Sequence, residues 1–193
     1  MNATQLLADE GKRTEDIINT LSNQLKDLSD NQLNWKPSPK KWSILECVEH
    51  INTACRHYIP EIRKQINNAP KNVATDDFKP GILGDYLTKM MQPQANGVIK
   101  GKMKTLAKFE PSSSTSALNG ADVFDECIQH HKELLGFIHT SANLNLNKVR
   151  VPSAIGPIIR FKLGDCYRFN TAHHQRHLLQ AQNVMKAQGF PEQ

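Results

Sequence analysis

Aromatic residues make up only 6% of this 193-residue chain. That scarcity, with frequent Lys, Leu, Asn and Gln, argues against a sheet-rich sandwich and for helices. No apolar run approaches the roughly 20 residues a membrane-spanning helix needs, which excludes a helical membrane protein. The first residues, MNATQLLADEGKRTEDII, lack the apolar centre of a secretory signal, so the expected location is cytoplasmic. No two of the four cysteines form a CxxC pair. Cys47, Cys55, Cys127 and Cys166 each sit in an apolar-periodic segment and read as small buried hydrophobes, not disulfides. No internal repeat appears, and the one low-complexity tract is the short SSSTS run. The length suits one compact domain, residues 1–193, with a core of its own.

The net charge is +5. That permits contact with nucleic acid but does not argue for it. Lys100, Lys102, Lys104 and Lys108 fall in a Gly- and Pro-containing stretch with Phe109 as the aromatic close by, and read as a solvated loop.

What is present is helical periodicity. Leu6, Leu7, Ile17, Ile18, Leu21, Leu25 and Leu28 predict a helix over 3–28. Pro37 and Pro39 end it. Ser43, with Glu46 three residues on, has the spacing of a capping box. It opens a second helix over 43–67, striped by Ile44, Cys47, Val48, Ile51, Cys55, Tyr58 and Ile62. Pro and Gly then break the pattern from 68 to 118, where GDYLTKMMQ is the one candidate for a short helix. Loops this long are uncommon and tend to be functional. A third helix is expected over 119–142 and a fourth over 162–188, closed by Gly189. Between them lies an irregular stretch with Pro152, Gly156 and Pro157. Four long amphipathic helices without a strong strand signal define an all-α four-helix bundle, with a long loop between helices 2 and 3.

TAHHQRHLLQ, residues 171–180, carries three of the eight histidines. At about 100° per residue, positions four apart lie one above the other. His173 and His177 therefore share a helix face, and neutral imidazole is a common ligand for zinc, nickel and iron. His50, at the margin of the second helix's apolar stripe, is the candidate third ligand. Three histidines would leave coordination positions open, as reactive metal centres do. His174 with His177 is an alternative i, i+3 pair. His57, His130, His131 and His139 read as surface or boundary residues, with His57 a distant option for a fourth ligand. Glu46 precedes His50 by one turn and suits either the capping box or a base. Cys47 reads as a buried thiol near the same face. Asn170 and Gln180 flank the histidine pair and suit hydrogen bonds to it.

The segments LNWKPSPKKWSILECVEHI and GDCYRFNTAHHQRHLLQ together resemble the DinB-like (DinB/YfiT) superfamily. There a Trp-Ser helix start leads to the first metal histidine, and the last helix carries the other two as HxxxH followed by Leu and Gln. The resemblance places the ligands at His50, His173 and His177, and selects His173 over His174. The stretch KMMQPQANGVIKGKMKTLAKFEP is similar to the linker of a mostly uncharacterised branch. The resemblance implies the bundle for the whole chain and a divalent metal, nickel or zinc first, iron or manganese next. It also implies chemistry with a low-molecular-weight thiol and a small electrophile, an S-transfer or isomerisation. The alternatives are a stress-related binding protein that carries a metal without turnover and, from positive charge and the family's historical link to DNA damage, a DNA-associated protein. A homodimer is a further expectation, with the 68–118 loop as pocket wall or dimer contact.

Overall fold

A computed structural model describes residues 1–94, 99, 109–111, 119–154 and 156–192. The fold is mostly helical with one small antiparallel sheet. Helix α1 spans Ala3–Thr20 and continues as one wide turn over Leu21–Leu25. A short helix α2 follows at Asp30–Asn34, then the long α3, Ile44–Asn68. Helix α4 covers Ile82–Met91 and α5 covers Gly120–Thr140. Strands β1 (Arg150–Ser153) and β2 (Gly156–Lys162) form a hairpin that runs directly into α6, Leu163–Met185.

Local chemistry sets these starts. The Asn2 side chain accepts the Gln5 N–H at 2.8 Å and caps α1. Ser43 and Glu46 form the reciprocal box at the head of α3, with Ser43 N donating to Glu46 Oε2 at 2.8 Å. An equivalent Ser29–Gln32 box starts α2, a helix the sequence reading passes over within a Pro-bounded linker. Asn119 caps α5. Helix α6 has no side-chain cap of its own. Its first turn is held instead by Asp165, which accepts the Gly81 N–H at 2.7 Å and so ties the start of α4 to that of α6.

The four long helices pack around one apolar core. Helix α3 lies against α5 and α6, and α1 lies against the same two. Ile17, Leu21, Ile44, Ile51, Ile62, Leu134 and Ile138 are all essentially inaccessible, as the apolar stripes require. Within the expected 3–28 helix the geometry widens after Thr20 and gives way to a turn after Leu25, before α2. The irregular stretch expected near Pro152 and Gly156 is instead the hairpin, with Val151 opposite Phe161 and Pro152 opposite Arg160. Two prolines hide it from a period-two reading. Pro152 lies in a strand with a partner on one side only, so its missing N–H interrupts no second ladder. The loop expected over 68–118 contains α4, close to the anticipated GDYLTKMMQ segment. The lysines at 100, 102, 104 and 108 and the SSSTS run lie outside the described residues.

Phe78, with no exposed surface, sits beneath the first turn of α6. A Cβ added at Gly164 would lie 2.8 Å from two carbons of its ring. Gly164→Ala should therefore destabilise the fold by about 1–3 kcal/mol, the usual cost of overpacking. A urea midpoint unchanged from the wild type would show that the ring moves aside freely.

Candidate metal centre

His50 projects from the second turn of α3, and His173 and His177 from successive turns of α6. The structure brings these three rings together. One nitrogen from each lies within 4.8 Å of the other two. Ring centroids are 4.3 Å apart for His50 and His177, 4.6 Å for His173 and His177, and 5.1 Å for His50 and His173. His50 and His177 are buried, and His173 is half-buried.

The proton positions follow from the partners. The Phe109 carbonyl lies 2.6 Å from His50 Nδ1. A carbonyl only accepts, so Nδ1 carries the proton and Nε2 of the neutral ring is a bare lone pair. That lone pair faces His173 Nε2 at 3.1 Å. Two imidazole nitrogens bound to one zinc ion at about 2.0–2.1 Å would stand about 3.3 Å apart in a tetrahedral site. Nδ1 of His173 and Nδ1 of His177 are buried with no hydrogen-bond partner among the described residues. An ion held at Nε2 of His173 would leave that Nδ1 unmet, so the fit rests on the three converging neutral imidazoles. The donor set fits a borderline divalent ion.

Burial governs the charge state. It lowers the pKa of His50, opposed by the Phe109 hydrogen bond. It brings His173 to about 3, helped by His50 and Arg176. It holds His177 well below the usual imidazole value, with His173, His50 and Arg176 adding to the shift and a hydrogen bond with Gln180 opposing it. All three rings are neutral at pH 7, the form that binds a metal.

Aromatic side chains set the orientation. Trp42, one residue before the α3 cap, lies 4.9 Å from the His50 ring and stacks on His177 at 5.7 Å. Phe169, one turn before His173, is nearly parallel to it at 5.9 Å. Phe169 is itself packed by Phe161 of β2 at 5.2 Å. Tyr58 of α3 anchors the hairpin by accepting the Ala154 N–H at 3.2 Å. The hairpin thereby supports a ligand candidate from behind.

The other candidates separate. Both oxygens of Glu46 are engaged, one by the Ser43 N–H and one by the Lys36 ammonium at 2.6 Å. Cys47 is fully buried, and burial pushes its thiol pKa up, with the Glu46 charge adding to the effect. Asn170 donates to the Cys166 carbonyl at 2.8 Å. His57 packs edge-on against Tyr58 at 5.0 Å and does not join the three-histidine group.

His131 requires a correction. Read as a surface or boundary residue, it is completely buried. With His174 and Cys55 it forms a second group of potential ligand atoms. The signal lay in its spacing, since His131 falls one turn after Cys127 and one turn before Leu134 on the apolar stripe of α5. His174 belongs to this second group and not to the first.

A family model of the DinB superfamily matches residues 13–181. The chain belongs to the DinB superfamily. No curated protein and no solved structure matches it. Among the described residues no helix is long and apolar enough to cross a membrane.

The neutral core histidines set a pH dependence. Burial lowers His131 to about 4 in the folded chain, against about 6.5 when unfolded. The unfolded state therefore binds the extra proton first. Stability is complete above about pH 6.5 and falls as pH drops toward 4. For His131 alone the loss by pH 5 is on the order of 2 kcal/mol. Urea titrations of metal-free protein at pH 7.5 and pH 5 should show that loss, and His131→Gln should shrink it. Equal slopes in both proteins would mean another group controls the acid limb.

Proposed function

We propose that the protein is a divalent-metal-dependent enzyme in which His50, His173 and His177 hold the ion, and that it transfers the sulfur of a small thiol to a small electrophile. The observation that carries this reading is the convergence of three neutral imidazoles with no carboxylate or thiol among them. Such a set leaves coordination positions open to exogenous molecules. When bound, a nickel or zinc ion there would favour the thiolate of a low-molecular-weight thiol, the nucleophilic form. Iron and manganese rank after these two.

The chain's own residues do the rest. The Phe109 carbonyl fixes His50 in the tautomer whose Nε2 faces His173. Phe169 holds the plane of His173. Trp42 covers His50 and His177 and limits water at that side of the rings. Glu46 serves the helix start and the Lys36 pair, so a base for the thiol proton comes from solvent or the substrate itself.

We read residues 1–193 as one DinB-type domain, with α1, α3, α5 and α6 as its four-helix bundle. We place the protein in the cytoplasm and read it as a homodimer, the latter supported by Ile82, Leu83 and Tyr86, which are exposed on one side of α4.

His50→Ala or His177→Ala should lower metal affinity by much more than the 10–100-fold typical of outer-shell changes, with far-UV circular dichroism unchanged. Wild-type protein loaded with nickel, zinc, iron or manganese should consume a cellular thiol in the presence of a generic electrophile. Equal rates for wild type and His177→Ala with every metal would reduce the protein to a metal-carrying binding protein, the second expectation from the family resemblance.

A further inference from the structure

Consecutive residues of α6 serve two different clusters. His173 turns toward His50 of α3, and His174 turns toward His131 of α5 and Cys55 of α3. We propose that Cys55, His131 and His174 form a second, buried metal site, for a thiophilic ion of the zinc class, distinct from the three-histidine centre.

Three observations carry it. One donor atom from each of the three side chains lies within 4.8 Å of the other two, and the three residues come from three different long helices. All are buried, with 2%, 0% and 1% exposure for Cys55, His131 and His174. The protons also leave a weak end. The Cys127 carbonyl accepts from His131 Nδ1 at 2.7 Å, so His131 Nε2 is bare. It accepts from His174 Nδ1 at 3.0 Å, which leaves His174 Nε2 bare in turn. Among the described residues, that nitrogen has the Cys55 sulfur as its hydrogen-bond partner, at 3.8 Å. A thiol is a weak donor, and this contact is long. The chain of bonds therefore ends on a lone pair with a poor partner, deep in the core.

A metal ion resolves that end. It replaces the thiol proton of Cys55, which leaves to solvent, and forms bonds to the sulfur and to one nitrogen of each ring. The cost is the His131–His174 hydrogen bond. Mixed sulfur and imidazole ligands select zinc or copper(I) over harder ions. The thiolate matters for a further reason. It offsets one charge of a divalent ion, in a core where the rings of His173 and His174 are 5.6 Å apart and the first centre has only neutral ligands.

Cobalt(II) tests this, because only a sulfur ligand gives the intense near-ultraviolet thiolate-to-cobalt charge-transfer band. The full chain is refolded from denaturant with cobalt(II), so that a buried site can load, and freed of excess metal by gel filtration. The expected result is a charge-transfer band and a second equivalent of metal beyond the one held by the three histidines. Cys55→Ser should abolish the band and that equivalent alone. His177→Ala should keep the band while losing the other equivalent, which separates this site from the first and from any question of activity. His131→Gln should also remove the band, an independent check if the serine variant folds poorly. Wild-type protein without the band overturns the proposal, and leaves the cluster a hydrogen-bond chain. A band that survives in folded Cys55→Ser also overturns it.

Discussion

An imidazole buried in a helical core must be neutral, and each of its two nitrogens must find a partner of the right kind. That constraint orders this molecule. Four histidines, at 50, 131, 174 and 177, are nearly inaccessible, and the protons of His50, His131 and His174 are dictated outward from two main-chain carbonyls. Phe109 fixes His50, and Cys127 fixes His131. From the first the order runs to His173, and from the second through His174 to Cys55, as donors and bare lone pairs. Packing of α3, α5 and α6 brings the rings within reach, but it is proton placement that decides which nitrogens remain available to an ion.

Much of the helical layout was legible because it rests on periodicity. The stripe from Ile44 to Ile62 and the Ser43–Glu46 box are local patterns, and both are present. Local signals mislead where tertiary contacts decide. The hairpin before α6 has prolines at 152 and 157, yet it forms because Tyr58 and Phe169 give it something to pack against. The widened turn at Leu21–Leu25 has no counterpart in the apolar pattern, which runs through it unbroken.

The histidines divide in the same way. The i, i+4 spacing of 173 and 177 is readable from a helix wheel. Their meeting with His50, across more than a hundred residues, was anticipated from the family resemblance and not from spacing alone. The second cluster needed the fold. His131 occupies a stripe position that its polarity disguised, and His174 differs from His173 only by a rotation of about 100°. Helix spacing leaves both open as partners of His177; the family resemblance selects His173, and the fold turns His173 to His50 of α3 and His174 to His131 of α5.

The contact that fixes His50 comes from a peptide oxygen. Such an atom places no demand on the identity of the side chain beside it. The side chain at 109 can therefore differ between relatives while the main-chain oxygen of that residue still meets the same ring nitrogen. A comparison of sequences would then score position 109 as variable even where its contribution is retained.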